Sequence, residues 1–135
     1  GKYIEVGEDG IGKVHRLDDN KLIFEGEYKN GKKNGKGKEY YELGYVKFEG
    51  EYINGEKNGR EYNSKGKIIF EGEYNKFGKP LNGKKYEYRK NNNLILKETE
   101  IINGKINGNV KEYFKGKLVF EGEYLNHKKN GKCVG

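Results

Sequence analysis

Regularly spaced glutamates are the residues of this sequence that most suggest a catalytic role. They form five pairs, each separated by one residue: Glu25 and Glu27, Glu49 and Glu51, Glu71 and Glu73, Glu98 and Glu100, and Glu121 and Glu123. Two carboxylates can supply the acid and the base of glycoside hydrolysis, but catalysis needs one distinctive pair in a pocket. Because the pair recurs in every copy, we interpret it as structural and predict that the chain is not an enzyme and has no catalytic residue.

The expected partners of these carboxylates are basic side chains on neighbouring strands of a solvated sheet face. The candidates are Lys36, Lys38, Arg60, Lys85 and Lys111. Each such cross-strand pair contributes roughly 0.2–1 kcal/mol, and the charges discourage aggregation of the sheet.

The remaining reactive side chains form no recognisable site. His15 and His127 lie far apart, with no cysteine or histidine at ligand spacing, so we expect no metal site. Cys133 is the only cysteine, which excludes an internal disulfide, and no base lies near it in the sequence. Gly35–Gly37 follows no parallel strand and opens no helix, as a phosphate-binding loop would. No cofactor is expected.

Composition favours strands and turns over helices. The chain of 135 residues has 22 Gly, 12 Tyr and 6 Phe but no Met or Trp, and only 32% of it is hydrophobic. Ala, Met and Gln, which favour helices, are absent, while aromatic residues suit strands. Clear periodicity and abundant aromatic residues argue against disorder.

One repeated phrase organises most of the chain. The phrase FEGEY occurs at Phe24–Tyr28, Phe48–Tyr52, Phe70–Tyr74 and Phe120–Tyr124, with a degenerate copy, KETEI, at Lys97–Ile101. An Asn-Gly marker follows each copy, at Asn34-Gly35, Asn58-Gly59, Asn82-Gly83, Asn107-Gly108 and Asn130-Gly131. These markers are 24, 24, 25 and 23 residues apart, a period typical of stacked supersecondary units.

Each unit reads as a β-hairpin. In the first full unit an alternating strand over Leu22–Tyr28 precedes a turn over Lys29–Asn34 and a return strand over Lys36–Tyr41. We therefore predict one array over residues 1–135, with a truncated cap at 1–21 and units at 22–45, 46–67, 68–93, 94–116 and 117–135. The expected fold is an all-β, elongated, twisted single-layer antiparallel meander of ten or eleven strands; an open barrel or a folded-over sandwich is the alternative.

Aromatic residues occupy the strand face opposite the glutamates. The candidate partner-binding residues of this face are Phe24, Tyr28, Tyr40, Phe48, Tyr52, Tyr62, Phe70, Tyr74, Tyr88, Tyr113, Phe120 and Tyr124. Glycine between two aromatic positions leaves a gap for a ring, and we expect Tyr40, Tyr62, Tyr88 and Tyr113 to supply the rings that cover these glycines. The stripe is either the core of the sheet or an open groove that grips a peptide or helix.

Charge and hydropathy restrict the partners without identifying one. The net charge is +7, carried mostly by lysine, whereas arginine is favoured for bidentate phosphate recognition. Because the same lysines are matched by glutamates in each copy, we expect no nucleic acid partner. No apolar run is long enough to span a bilayer, and residues 1–10 do not resemble a signal peptide. A cytoplasmic or membrane-peripheral location is favoured, and a secreted one stays open.

With these columns in place, the units FEGEYKNGKKNGKGKEYY, FEGEYINGEKNGREYN and FEGEYLNHKKNGK resemble the MORN repeat, and the EGEY and EYY phrases are similar to bacterial YwqK-type antitoxin repeats. The resemblance implies an elongated sheet of hairpins that serves in protein–protein scaffolding, with no catalytic residue of its own. It also implies two alternatives: association with acidic phospholipid through Lys-rich loops such as Lys29–Lys36 and Lys128–Lys132, or antitoxin-like binding of a toxin. A homo-oligomer through the sheet edges is possible.

Any local function is expected where the copies differ. Those segments are Asn75–Leu81, which is extended and contains Pro80, and Asn91–Ile101, where the FEGEY phrase is degenerate.

Overall fold

The protein is all-β. A computed structural model describes residues 3–5, 9–91, 94–125 and 128–133, and these residues contain twelve strands and no helix. The strands are β1 (Tyr3–Glu5), β2 (Gly10–Arg16), β3 (Leu22–Lys29), β4 (Lys32–Tyr40), β5 (Val46–Ile53), β6 (Glu56–Tyr62), β7 (Ile68–Tyr74), β8 (Pro80–Tyr88), β9 (Ile95–Ile102), β10 (Lys105–Phe114), β11 (Lys117–Leu125) and β12 (Lys128–Cys133).

The strands form one open antiparallel sheet in chain order. Each strand pairs with its sequence neighbours, so β1 and β12 lie at opposite ends. Extensive contacts in the described part of the chain join only consecutive strands, which leaves a single layer. The predicted all-β hairpin meander is therefore confirmed. The described strands form one open sheet and not the alternative folded-over sandwich. The five predicted units supply ten strands, β3–β12, and the number exceeds the ten or eleven expected because the cap at 1–21 supplies two more, β1 and β2.

Tight two-residue turns close four of the described hairpins, three through Asn-Gly and one through Lys115-Gly116. Asn30-Gly31, Asn54-Gly55 and Asn103-Gly104 all have positive φ at both residues, for example 52° and 77° at the first. This conformation matches the twist of a hairpin and is tolerated by Asn and Gly. The first turn is thus shorter than the predicted Lys29–Asn34, and the return strand starts at Lys32 rather than at Lys36.

The second Asn-Gly pair of the first unit has a different role. Gly35 has φ of 105° and lies in a β-bulge, two residues before Gly37, which pairs with Gly26. The carboxylate of Glu27 accepts a hydrogen bond from the Lys36 backbone N–H at 2.6 Å and so satisfies a donor that the bulge removes from the ladder. In the second unit no bulge is present, and Gly59 itself pairs with Gly50. Asn-Gly pairs that are regularly spaced in the sequence therefore occupy two different structural positions, a bulge at Gly35 and a paired position at Gly59.

The register changes between β8 and β9. Gly37 lies opposite Gly50 and Gly59 opposite Gly72, whereas Gly83 lies opposite Ile101. The cause is in the sequence of β8: Tyr88 follows its glycine by five residues, but Tyr40 and Tyr62 follow theirs by three. The strands from β9 onwards are consequently displaced by two residues along the strand direction.

Candidate functional site

One face of the sheet, here called the aromatic face, is closed by its own rings. Six side chains on it are at most 4% exposed: Phe24, Tyr28, Phe48, Tyr52, Phe70 and Tyr74. Phe24 meets Tyr52 and Phe48 meets Tyr74 edge to face, with ring centroids 5.3 and 5.5 Å apart. These pairs reach across an intervening strand, which contributes glycines at that level. The rings therefore bury one another without a second layer.

The glycines make this burial possible because they have no Cβ. A Cβ added to Gly37 would lie 2.8 Å from ring carbons of both Phe24 and Tyr52, and one on Gly50 would lie 2.3 Å from the Asn58 carbonyl oxygen. Phenylalanine rings thus rest on the glycine pairs.

The expectation that Tyr40, Tyr62, Tyr88 and Tyr113 cover the glycines is wrong. These residues follow the glycine of the return strand by an odd number of positions, so alternation directs them to the other face. The covering rings come from the phenylalanines of the FEGEY strands and from the tyrosines two strands away.

Two glutamates on the aromatic face were not singled out by sequence reasoning. Glu39 accepts a hydrogen bond from the Tyr52 hydroxyl at 2.5 Å and pairs with the Lys57 ammonium at 3.0 Å. The Lys57 ammonium also lies 4.6 Å from the ring centroids of Phe48 and Tyr74. Glu61 accepts from the Tyr74 hydroxyl at 2.7 Å. Strand alternation could have identified them, because Glu39 and Glu61 follow Gly37 and Gly59 by two residues, an even number, and so lie on the same face. This even or odd spacing is called parity below.

Burial alone would raise the pKa of Glu39, but the Tyr52 hydrogen bond and the charge of Lys57 outweigh it and hold that pKa below its ordinary value. Burial raises the pKa of Tyr52, and the neighbouring Glu39 carboxylate raises it further. The network is therefore an ionised carboxylate that holds a neutral phenol, which is a structural arrangement rather than a pair poised for proton transfer.

The opposite face, here called the charged face, carries a ladder of alternating charges. Glu25 lies opposite Lys38, Lys38 opposite Glu49, Glu49 opposite Arg60 and Arg60 opposite Glu71. The Lys38–Glu49 and Arg60–Glu71 pairs measure 3.9 and 2.6 Å. The predicted cross-strand pairing is confirmed for these residues. The ladder leaves these charges mutually compensated.

The prediction that Lys85 pairs with glutamates on the charged face is wrong. Lys85 lies opposite Phe70 and Thr99, on the aromatic face, whereas Lys84 lies opposite Glu71 and Glu100. The reason is again parity, because Lys85 follows Gly83 by two residues. Lys36 does lie opposite Glu51, and Lys111 lies opposite Glu98 and Glu121.

A row of half-exposed tyrosines, here called the tyrosine row, borders the charged face. Its members lie at or next to the ends of their return strands, opposite the first apolar residues of the next strands. The pairs are Tyr40 with Val46, Tyr62 with Ile68, Tyr88 with Ile95, and Tyr113 with Leu118. A register irregularity precedes each pair. The tyrosine row is thus a regular product of the repeat.

Grooves open beside this row. One, of about 730 Å³, is lined by Tyr40, Lys38, Glu49, Arg60 and glycine backbone. A second, of about 440 Å³, is lined by Tyr62 together with Glu49, Tyr45 and Val46. The grooves therefore combine aromatic, aliphatic and charged groups.

The twelve sequence-predicted aromatic residues consequently fall into two groups. Seven are buried: Phe24, Tyr28, Phe48, Tyr52, Phe70, Tyr74 and Tyr124. The other five, which are Tyr40, Tyr62, Tyr88, Tyr113 and Phe120, are partly exposed. Only the second group offers ring surface to another molecule as the sheet stands.

The hairpin connections lie along two edges. The Asn-Gly edge carries the turns at 30–31, 54–55 and 103–104 and the loop at 75–79; the long-loop edge carries the connections at 17–21, 41–45, 63–67 and 115–116 and that between β8 and β9. Phe77 is 77% exposed and Ile53 is 70% exposed on neighbouring tips of the Asn-Gly edge. The Asn75 side chain accepts hydrogen bonds from the Phe77 and Lys79 backbone N–H groups, which fixes the loop that presents Phe77.

No group of metal-binding side chains occurs among the described residues. His15 lies opposite Leu22, Cys133 is an exposed thiol opposite Phe120, and His127 lies outside the described part of the chain. Residues 92 and 93 of the variable segment Asn91–Ile101 also lie outside it. No helix in the described residues could cross a membrane.

The MORN repeat family matches the chain over residues 24–42, 48–60 and 120–134. No curated protein matches it significantly. These three stretches are therefore similar to the MORN repeat, and the sequence-based resemblance is confirmed there. MORN repeats are generally non-catalytic repeat modules linked to membrane or protein interaction.

Proposed function

We propose that this chain is a non-catalytic module that binds an extended segment of a partner protein on its charged face, with the tyrosine row as the main contact. The observation that carries this proposal is the regular row of half-exposed tyrosines beside grooves of about 730 and 440 Å³. Tyrosine offers a large rigid contact area and a hydrogen-bonding hydroxyl, and it is enriched among residues that dominate binding energies.

The charge ladder supports the same surface. Its alternating signs give a bound segment polar contacts of both signs along the rim, which favours one register over others. Backbone forms the bottom of this groove near Gly26, Gly37, Gly50 and Gly59, because a side chain at these positions would point to the aromatic face. A chain segment can approach closely there.

The buried rings of the aromatic face have a different role in this proposal. Phe48 is completely buried and Phe24 and Tyr52 nearly so, and they would have to leave the glycine pairs to touch a partner. That movement would expose the aromatic core of the sheet. We therefore assign partner contact to Tyr40, Tyr62, Tyr88 and Tyr113 and assign fold stability to the buried aromatic residues.

Peptides selected from a random display library on the immobilised protein test this function. We expect the combined variant Tyr40→Ala with Tyr62→Ala to weaken the selected peptides by at least about tenfold in fluorescence anisotropy, since truncating a central aromatic contact typically has that effect. Phe77→Ser on the Asn-Gly edge is the matched control and leaves the affinity unchanged. Unaltered peptide binding by a tyrosine variant with the wild-type unfolding temperature would contradict the proposal.

A second candidate function is association with anionic membranes through the Asn-Gly edge. It rests on Phe77, whose exposed ring is flanked by Lys76 and Lys79 at the tip of the β7–β8 hairpin, and on the neighbouring exposed Ile53. An aromatic ring at the headgroup level with adjacent lysines is a recognised interfacial arrangement, and each lysine near an anionic surface contributes about 1 kcal/mol.

Sedimentation with vesicles of phosphatidylglycerol and phosphatidylcholine tests this candidate. Phe77→Ser is expected to reduce the bound fraction several-fold, and the combined tyrosine variant to leave it unchanged. Association should weaken as salt is raised, because the lysine contribution is screened. Equal sedimentation of the wild type and Phe77→Ser would remove the candidate without affecting the peptide-binding proposal.

A further inference from the structure

Three partly exposed tyrosines of the charged face lie on one straight line across the strands. Tyr40, Tyr62 and Tyr86 each follow the glycine of their return strand by three residues. These glycines share one register from β4 to β8, because each lies opposite the glycine of the FEGEY strand beside it. The three tyrosines, here called the aligned tyrosines, therefore stand at the same level of the sheet.

The last two members of the tyrosine row lie beyond this line. Tyr88 follows its glycine by five residues rather than three. Lys111 and Tyr86 stand at one level, because both lie opposite Glu98. Tyr113 follows Lys111 by two residues and is displaced by that distance along the strand. The tyrosine row thus bends where β9 is displaced, and Tyr86 continues its straight part.

The spacing of the aligned tyrosines selects one backbone conformation in a bound segment. They belong to β4, β6 and β8, so successive rings are two strands apart, roughly 9.6 Å. A polyproline II helix repeats every three residues, or roughly 9.3 Å, and is out of step by only about 0.6 Å over the line. Two turns of α-helix rise roughly 10.8 Å, which is about 2.4 Å out of step over the line. An extended β-strand presents the same side every roughly 6.7 Å and does not match.

The surface between the aligned tyrosines suits proline rings. Strand alternation puts Lys47 into the first gap of the line and Ile69 into the second, because each precedes a buried phenylalanine of its strand. Both contribute aliphatic groups between the aromatic rings. Aromatic-lined grooves of this kind dock proline-rich segments. A polyproline II backbone makes no hydrogen bonds of its own, so its carbonyl groups can accept from tyrosine hydroxyls.

A pocket rich in carboxylates follows the last aligned tyrosine. One further step of two strands beyond Tyr86 reaches β10. The pocket there has a volume of about 220 Å³ and is lined by Glu98, Glu100, Glu121, Lys84, Lys111 and Asn109. Burial raises the pKa of Tyr86, and the charge of Glu98, which lies opposite it, adds to this. The next repeat of a bound segment therefore reaches a pocket in which carboxylates outnumber ammonium groups.

We propose that the aligned tyrosines bind a proline-rich segment in the polyproline II conformation, with proline at every third residue and arginine at the next third position, in the pocket beside Glu98. This inference rests on the proposed function and assigns its partner segment to one chemical class. The preformed conformation of such a segment lowers the entropy lost on binding. Paired charges of the ladder, such as Arg60 and Glu71 at 2.6 Å, suit its uncharged part, and the excess of carboxylates suits arginine.

The test uses fluorescein-labelled peptides in anisotropy titrations with the full chain. One peptide has three Pro-Ala-Thr units followed by arginine, and a second has the reversed sequence, since the direction of the segment is open. The control peptide has Pro-Ala-Thr-Ala units followed by arginine. We expect one of the first two peptides to bind at least about tenfold more tightly than the control, because a four-residue spacing puts the prolines out of step with the rings.

Variants of the protein locate the binding site of that peptide. Tyr86→Ala should weaken it at least about fivefold, whereas Tyr86→Phe keeps the ring and should weaken it no more than about threefold. Phe114→Ala, the matched control, removes an exposed ring outside the line and should keep the affinity within about twofold. Glu98→Gln should remove the advantage of arginine over glutamine at that position of the peptide.

Equal binding of the three-residue and four-residue repeats would overturn the inference. Failure of both arginine peptides to bind would overturn it as well, as would full affinity in a Tyr86→Ala variant with the wild-type unfolding temperature. The proposed function survives these results if peptides selected from the random library still depend on Tyr40 and Tyr62. Loss of that dependence would overturn both.

Discussion

The β3–β7 region and the β9–β10 hairpin seal the same face of the sheet in two different ways. In β3–β7, Phe48 rests on Gly50 and Gly59, and the ring of Tyr74 meets it from two strands away. In β9–β10 the equivalent paired positions are Thr99 and Val110, which are 2% and 0% exposed.

The difference between the two regions follows from the residue that stands at the phenylalanine position of each FEGEY strand. Lys97 replaces phenylalanine in β9, so this strand supplies no ring of its own, and Cβ-bearing residues fill the space instead. The Lys97 ammonium lies 4.9 Å from the centroid of the Tyr124 ring, which comes from two strands away. Ile101 replaces tyrosine because the displaced register puts it opposite Gly83, where it packs into the buried cluster. The degenerate repeat therefore closes the sheet face in a second way. Where a strand has the phenylalanine, it also has the glycine that the ring covers, and β9 has neither.

The largest effect that tests this comparison is expected from alanine at equivalent positions of the two regions. Gly50→Ala should destabilise the protein by about 3 kcal/mol or more, because its Cβ would lie 2.3 Å from the Asn58 carbonyl oxygen. Thr99→Ala should cost only about 1 kcal/mol, since a Cβ is already accommodated there. Urea unfolding of both variants is the measurement, and similar losses would remove the distinction between the regions.

A second experiment measures the dependence of glycine on the ring. The nearest atoms to a Cβ on Gly37 are ring carbons of Phe24 and Tyr52 rather than backbone. Gly37→Ala should therefore be less costly in a Phe24→Leu background, by about 1 kcal/mol of coupling in a double-mutant cycle. Additive losses of stability would mean that the Phe24 ring is not the reason why glycine is required at position 37.

A third and smaller effect concerns the carboxylate network, which β9 cannot form at Ile101 because this side chain has no hydroxyl. The folded-state pKa of Glu39 is depressed, so its contribution is complete above its unfolded pKa and is lost as pH falls through the folded value. Glu39→Gln should cost about 1 kcal/mol at pH 7 and less at pH 3.

Urea unfolding at the two pH values measures the loss, with Glu49→Gln on the charged face as the control that shows little change. A Glu39→Gln penalty that stays constant between pH 7 and pH 3 would argue against the ionised network.

The candidate site was only partly accessible from sequence. Alternation correctly separated an aromatic from a charged face, and it predicted the pairing of Lys38 and Arg60 with glutamates. Twelve aromatic residues were nevertheless assigned to one surface. Parity places Tyr40 on the other face, and burial removes Phe48 from contact with any partner. Burial depends on strands that are distant in sequence, which local alternation does not describe.

By itself, the sequence determined that this protein is a meander of β-hairpins, because its period, its glycines and its alternating phenylalanine and glutamate act locally. Only the tertiary structure decided which ring covers which glycine, since Phe24 and Tyr52 meet across an intervening strand. It also decided that Gly35 forms a bulge while Gly59 forms a pair, and that β9 is displaced by two residues. These outcomes depend on the register between strands, which is set by packing of whole faces and not by the residues of one strand.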